Sequence, residues 1–352
     1  MKFKKIFARL VILAALGTGL FAKTDSKKNI KNSGRIKIVA TIFPEYDWTR
    51  EILGDKISET ELYLLSNGVD LHSYQPSIQD IAKISTAEIL IYVGGESDGW
   101  VKNALKNATN KNMKVINLME TLGDSVRKEE FKEGMQTEAA AHNHREEHNG
   151  DEKHDKDDDH NGDHCFDVYD DKETEYDEHV WLSLRNAKII CQEISTALCQ
   201  KDPENADIYK KNLNTYTARL NALDEKYSAT VKASSKKTIL FGDRFPFRYL
   251  VDDYGLDYFA AFVGCSAETE ASFETIIFLS KKVDELDLNT VFKIETGDGK
   301  IARTVIQSST KKNAEILTLD SMQSVTLKQA KAGTSYISIM EKNLSVLKEA
   351  LK

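Results

Sequence analysis

The stretch Ile36-Lys-Ile-Val-Ala-Thr-Ile-Phe43 predicts a buried β-strand that is bounded by Pro44. Residues 46–53 follow as a predicted helix, which ends at Gly54. The alternation continues along the chain, with strands predicted at 61–65, 89–93 and 114–118 and helices at 77–85 and 101–107. Strands that alternate with helices indicate βαβ units, whose strands are parallel. This part of the chain therefore predicts an α/β lobe.

A second alternating set follows two long predicted helices, 184–199 and 203–233. Its predicted elements are strands 238–241, 256–263, 290–294 and 315–319, and helices 247–254, 273–286, 302–308 and 336–351. We therefore predict an α/β protein of two lobes, each with a mostly parallel sheet flanked by helices. Ligands of such folds bind at the carboxyl ends of the strands, in the crevice between the halves.

Composition and charge narrow the class of protein. The chain has 352 residues, 41% hydrophobic and 30% charged, which is enough for one large or two medium cores. A formal net charge of −8 without a basic stripe argues against a nucleic-acid partner. Basic residues precede an apolar run from Leu10 to Ala22, which predicts a secretory signal (1–22) and then a flexible leader (23–35). An uncleaved membrane anchor is the alternative, although the apolar run is shorter than a span of ~20 residues.

The cysteines show no pattern of a metal or redox motif. None of them forms a CxxC pair, so neither a thiolate zinc site nor a redox pair is indicated. On one helix, Cys191 and Cys199 would lie too far apart to bridge directly. A disulfide involving Cys265 or Cys165 stays open.

Six of the eight histidines lie in one acidic tract, within a loop predicted at 138–176. Imidazole binds zinc and similar metals, and carboxylates add oxygen ligands. The tract therefore predicts a low-affinity metal-binding loop, whose histidines are His142, His144, His148, His154, His160 and His164.

Two isolated histidines are the candidates for a specific metal site. His72 follows the second predicted strand, and His179 follows the loop. Each has an acidic neighbour, Asp70 or Glu178, that can orient its ring. The second lobe contains no histidine, so its ligands would be carboxylates that follow strands. These candidates are Asp243 and Glu295, with Asp298, Glu268 and Glu270 in reserve. Two histidines and two carboxylates suit zinc, manganese or iron.

These residues lie in segments that resemble the solute-binding proteins of zinc and manganese ABC importers, the metal-binding cluster A-I family. Gly68-Val-Asp-Leu-His72-Ser-Tyr-Gln-Pro76 resembles the family's G-x-D-P-H-x-Y-x-P segment, and Asp177-Glu-His179-Val-Trp-Leu182 resembles its D-P-H-V-W-L segment. The histidine of each segment is a metal ligand in the family. The His-rich loop resembles that of the zinc-specific members, so the resemblance implies zinc rather than manganese.

The chain departs from the family pattern at the third ligand. That ligand, a His or Glu in an H-x-A-F-x-Y type segment, falls on Arg244, which cannot coordinate a cation. Asp243 is the expected substitute; alternatively Arg244 pairs with a carboxylate and the site has fewer protein ligands. Glu295 best matches the family's fourth ligand, followed by Asp298.

The family fold implies an N-terminal lobe (36–183), a rigid linking helix (184–202) and a C-terminal lobe (203–352). The resemblance further implies a monomeric, exported protein, periplasmic or cell-surface associated, that passes the metal to an ABC permease and its ATPase. It implies no enzyme. A secreted zinc hydrolase is the enzyme alternative, but the sequence has no HExxH and no GxSxG. A metal buffer or adhesin without a transporter is the third possibility.

Overall fold

A computed structural model of the chain describes residues 35–136, 175–266 and 270–352. The predicted signal, nearly all of the leader and most of the His-rich loop lie outside the described residues. Glu268, Cys165 and the six loop histidines lie outside them as well.

Each lobe contains a four-stranded parallel sheet, as predicted. The first has the order β2-β1-β3-β4, and its strands are β1 (Ile36–Ala40), β2 (Thr60–Leu64), β3 (Ile89–Tyr92) and β4 (Lys114–Asn117). The second has the order β6-β5-β7-β8, and its strands are β5 (Thr238–Phe245), β6 (Asp257–Val263), β7 (Thr290–Ile294) and β8 (Glu315–Leu319). The two sheets thus repeat one strand order.

Helices flank both sheets. Those of the first lobe are α1 (Phe43–Leu53), α2 (Ile78–Ser85), α3 (Val101–Lys106) and α4 (Leu118–Leu122). The two long helices are α5 (Leu184–Lys201) and α6 (Ala206–Ala233). Those that follow are α7 (Arg248–Tyr254), α8 (Phe273–Glu285), α9 (Lys300–Ser308), α10 (Leu327–Lys331) and α11 (Tyr336–Ala350). None of the helices in the described ranges has the length and apolar character needed to cross a bilayer.

Alternate residues of the strands point into different cores, because successive side chains of a strand face opposite sides of the sheet. Ile38 of β1 and Ile239 of β5 both belong to one large core, which contains residues from both lobes. Their neighbours Val39 and Leu240 belong to two smaller cores, one on the outer face of each sheet. The large core therefore joins the lobes.

The helix between the lobes is formed by residues 203–233, a short 3₁₀ turn continuing into α6. This helix contacts α1 of the first lobe and α7 and α11 of the second. The helix that we predicted as the linker, at 184–202, corresponds to α5, which packs along α6 and also against α1, α4 and β4. The boundaries assigned to the two lobes stay a prediction.

Buried polar contacts add to this apolar junction. The side chain of Asp47 in α1 accepts a hydrogen bond from the Tyr336 amide at 2.7 Å. Arg50 forms an ion pair with Asp47 and donates to the carbonyl of Ala330 at 2.8 Å. The Tyr336 hydroxyl donates to the carbonyl of Trp181 at 2.7 Å. These contacts fix the end of the second lobe to the first.

The boundary between strand β1 and helix α1 lies closer to the N-terminus than the sequence predicts. The strand ends at Ala40 instead of reaching Phe43, and the helix begins at Phe43 instead of Tyr46. Pro44 lies in the first turn of α1, where its missing N–H is no loss and its fixed φ suits the helix. The predicted role of Pro44 as the end of the strand is therefore wrong.

Strand β5 is longer than predicted. It continues through Asp243 and Arg244 to Phe245, with a register irregularity between Phe241 and Arg244. These two charged residues therefore lie within the strand and not after it.

We expect Tyr336→Phe to lower the free energy of unfolding by about 1 kcal/mol, because it leaves the buried Trp181 carbonyl without its donor. Urea unfolding of the wild type and the variant measures this difference in free energy. Tyr63→Phe is the control, because the Tyr63 hydroxyl donates to a surface carboxylate, Glu61, at 3.0 Å. Equal effects of the two substitutions would contradict a special role for the Tyr336 contact.

Candidate metal centre

His72 is held in a short 3₁₀ turn, Leu71–Ser73, that follows strand β2. Asp70 caps this turn, since its Oδ1 accepts a hydrogen bond from the His72 amide at 3.0 Å. The ring Nδ1 lies 2.8 Å from the hydroxyl of Ser97, in the loop after β3. The His72 side chain is only 13% exposed. The other ring nitrogen of His72, Nε2, faces His179.

His179 immediately precedes a second 3₁₀ turn, Val180–Leu182, and is fully buried. Asp177 accepts a hydrogen bond from the His179 amide at 2.8 Å, and the same oxygen lies 2.9 Å from the ring Nδ1. Because a carboxylate only accepts, Nδ1 of His179 carries the proton and Nε2 presents its lone pair. Trp181 anchors this segment to the second lobe by donating from Nε1 to the Ser321 carbonyl at 2.9 Å.

The two rings meet with their Nε2 atoms 3.2 Å apart. Two nitrogens bound to one tetrahedral zinc ion, each at about 2.05 Å, are separated by about 3.3 Å. The pair therefore fits the edge of a zinc coordination tetrahedron.

Burial, followed by the charge of the neighbouring His179, lowers the pKa of His72 well below its ordinary value. With both rings neutral, His72 can donate from Nε2 to the lone pair of His179 while Ser97 donates to its Nδ1. A cation between the rings replaces that Nε2 proton. Ser97 can then accept from a protonated Nδ1, since a hydroxyl both donates and accepts. A metal ion can thus replace the hydrogen bond between the two histidine rings.

Three buried carboxylates lie behind the histidines. Glu178 accepts from the Ser97 amide at 2.9 Å, and Asp98 accepts from the Val93 amide at 2.8 Å. Glu45 accepts from the amides of Thr41 and Ile42 at 2.7 and 3.2 Å. Each carboxylate caps a loop at the carboxyl end of β1 or β3. The bonds of Glu178 and Asp98 hold the loop that carries Ser97, whereas those of Glu45 hold the loop after β1.

Burial, followed by the negative charge of Asp98, raises the pKa of Glu45 to about 8. Burial likewise raises the pKa of Asp98 to about 6. Glu45 is fully buried, and its Oε1 accepts no hydrogen bond from the described part of the chain.

The predicted carboxylate ligands lie on the second lobe with other partners. Asp243 accepts from the amides of Arg244 and Ile294 at 2.9 and 3.2 Å. Glu295 accepts from the amide and hydroxyl of Ser321 at 2.7 and 2.9 Å. Asp298 accepts from the Lys300 amide at 2.8 Å and is 60% exposed. Within the described ranges, the structure does not group any of these three with the histidine pair.

Arg244, at the position of the family's third ligand, forms an ion pair with Asp70. Arg244 thus pairs with a carboxylate, as one of the two expectations held, while the number of protein ligands stays a prediction. The pair connects the first-lobe turn of His72 to β5 of the second lobe. Beside it lies a cavity of about 510 Å³, whose lining includes Asp70, Ser73, Asp243 and Arg244. The site therefore borders the cleft between the lobes.

The structure adds a residue that sequence reasoning missed. One potential donor atom each from His72, His179 and Cys265 lie within 4.8 Å of one another. Cys265 belongs to no CxxC pair, so cysteine spacing does not indicate it as a metal ligand. It follows β6 by two residues, so the rule that ligands gather at the carboxyl ends of strands could have selected it. Cys191, Cys199 and Cys265 are all free thiols.

The sequence profile described as zinc-uptake complex component A, periplasmic, matches residues 38–350. The chain belongs to this family.

Individual relatives agree with this assignment. The zinc-binding protein AdcA of Streptococcus pyogenes is 26% identical over 345 residues, covering 97% of this chain and 61% of that protein. This chain therefore spans about three fifths of the length of that relative. The high-affinity zinc uptake system protein ZnuA of Bacillus subtilis is 28% identical, covering 99% of this chain and 98% of that protein. The crystal structure of the metal-dependent lipoprotein YcdH of Bacillus subtilis has a TM-score of 0.66 at 25% identity, covering 90% of this chain and 100% of that one.

We expect Glu45→Gln to remove a pH dependence of stability. The raised pKa means that the folded protein holds the Glu45 proton more tightly than the unfolded chain does. That stability is present below the ordinary value of 4.5 and is lost as the pH rises through about 8. Urea unfolding should give the wild type and Glu45→Gln similar free energies of unfolding at about pH 5. Near pH 9 the variant should be more stable than the wild type by on the order of a few kcal/mol.

The control for this comparison is Glu274→Gln, which changes an exposed carboxylate in the first turn of α8. It should leave the pH profile unchanged. A constant difference between wild type and Glu45→Gln at all pH values would show that Glu45 is not protonated on folding.

Proposed function

We propose that the protein captures Zn²⁺ with His72 and His179 and delivers it to the membrane permease of an ABC importer. The observation that carries the proposal is the pair of Nε2 atoms 3.2 Å apart, at the separation a tetrahedral zinc ion requires. Membership of a zinc-uptake family supports the same cargo. A secreted hydrolase has no comparable support, because the family is described as an uptake component.

The remaining ligands are part of the proposal. Asp243 and Glu295 stay candidates for coordination positions that the imidazoles leave open. Each would give up hydrogen bonds to backbone amides in order to reach the ion. The six loop histidines would gather zinc at low affinity and raise its concentration near the site. Manganese, which prefers oxygen ligands, is the less suitable cargo for two imidazoles.

We further propose that the protein is exported and acts outside the cytoplasm, as a monomer that docks on the permease and its ATPase. The signal-like start of the sequence and the periplasmic family description support export. The core shared by the two lobes permits only small lobe movements. Zinc would then enter and leave by local rearrangement of the cleft.

We expect calorimetry to show one tight zinc-binding event that survives deletion of residues 142–164. This event should be lost in His72→Ala and in His179→Ala, because each removes one nitrogen of the pair. Circular dichroism of both variants checks that they remain folded. If all zinc binding disappears with the loop, the assignment of the site is wrong and the protein is a metal buffer.

We expect Asp177→Asn to weaken zinc binding about 10- to 100-fold, the usual effect of losing a group that orients a ligand. The asparagine amide can donate to Nδ1 of His179 and so favour the tautomer with a proton on Nε2. Zinc titration measures the loss, and Asp55→Asn, on the exposed surface, is the matched control. Unchanged affinity in Asp177→Asn would contradict the role given to Asp177.

A further inference from the structure

Cys265 is the residue of the second lobe that lies beside the histidine pair. Within the described ranges, His72, His179 and Cys265 are the one group of three or more histidine, cysteine, aspartate or glutamate side chains with donor atoms within 4.8 Å of one another. The two histidines come from the first lobe and from the segment before α5. Cys265 comes from the loop after β6, in the second lobe.

The chain brings this loop against His179 through a glycine. A Cβ atom at Gly264 would lie 2.9 Å from the carbonyl oxygen of Phe245 and 3.1 Å from Cε1 of His179. A side chain at this position would push the loop away from the ring. Gly264 therefore permits the close approach that places Cys265 beside the pair.

Cys265 is also held from the first lobe. Its amide donates to Oε1 of Glu129 at 3.2 Å, and its thiol is hydrogen-bonded to the same carboxylate. A buried cysteine in an ordinary core has apolar neighbours. At Cys265, burial and then the negative charges of Glu129, Asp177 and Glu178 raise the pKa of the thiol. Negative charges around a thiol attract a cation to it, which supports a role for Cys265 in binding a metal ion.

We propose that Cys265 binds the zinc ion as a thiolate, together with Nε2 of His72 and Nε2 of His179. This proposal rests on the function proposed above and assigns the second lobe's ligand. As the sulfur binds, the thiol loses its proton, for which Glu129 is the acceptor already in place. A tetrahedral ion then has one position left for a water molecule or one of the candidate carboxylates.

The ligand set determines which metal the site takes. Thiolate and imidazole ligands suit zinc, whereas manganese prefers carboxylate, carbonyl and water oxygens. Cys265 therefore makes the site selective for zinc over manganese, independently of the His-rich loop.

Cobalt(II) tests the proposal, because it can replace zinc in its binding sites. A cobalt ion bound by a thiolate gives a thiolate-to-metal charge-transfer band in the near ultraviolet. The reduced full-length chain is titrated with one equivalent of Co²⁺. We expect the band in the wild type and its loss in Cys265→Ser, in His72→Ala and in His179→Ala. The controls are Cys165→Ser, next to the loop histidines, and Cys199→Ser, on α5, and both should keep the band. Zinc affinity in Cys265→Ser should fall at least about tenfold, while manganese affinity stays unchanged.

Two outcomes would overturn the proposal. One is a band that is lost in Cys165→Ser and kept in Cys265→Ser. The other is tight, histidine-dependent metal binding without any charge-transfer band, which refutes thiolate ligation while leaving the proposed zinc capture intact. If the proposed function itself is wrong, the wild type binds no metal at the histidine pair, which distinguishes that result from the two outcomes above. X-ray absorption of the zinc-loaded protein provides a second readout, since a sulfur ligand lies at about 2.3 Å from the ion.

Discussion

Both sheets of this protein are parallel, and a parallel sheet has to be covered on both of its faces. Each sheet uses helices for its outer face, and both turn their other face toward one shared core. The lobes are therefore packed together as well as connected by the chain. This constraint fixes the relative positions of the loops at the carboxyl ends of the strands, where His72 and Cys265 are found. A site assembled from both lobes depends on that junction.

Most of the fold was predictable because its signals are local. Runs such as Ile36–Ala40 and Thr290–Ile294 are short and apolar, and amphipathic helices separate them, so the alternation of elements reveals parallel sheets. The errors arise where one residue type suits two structures. Pro44 is compatible with the end of a strand and with the first turn of a helix, and burial of Phe43 in the shared core selects the helix.

The site was only partly predictable, for a related reason. His72 and His179 are identified by short motifs, and the structure does bring them together. Asp243 and Glu295 are indicated in the sequence only by their residue type and by their place near predicted strand ends. Some of their hydrogen-bond partners, the Ile294 amide for Asp243 and the amide and hydroxyl of Ser321 for Glu295, are distant in sequence and cannot be read from the local sequence. The proximity of Cys265 to the pair depends on tertiary packing at Gly264, which no sequence spacing reports.

Arg244 adds positive charge near His72 although it cannot coordinate an ion itself. Its charge is close enough to lower the pKa of His72, so it also repels a cation bound there, whereas Asp70 acts in the opposite direction and more strongly. Asp70, which pairs with Arg244, therefore still favours positive charge beside His72. Any docking event that drew Asp70 aside would leave Arg244 unpaired beside the ion and weaken binding, since charges interact strongly where water is excluded. In the zinc capture proposed above, the affinity of the site therefore depends on this ion pair as well as on the ligands themselves.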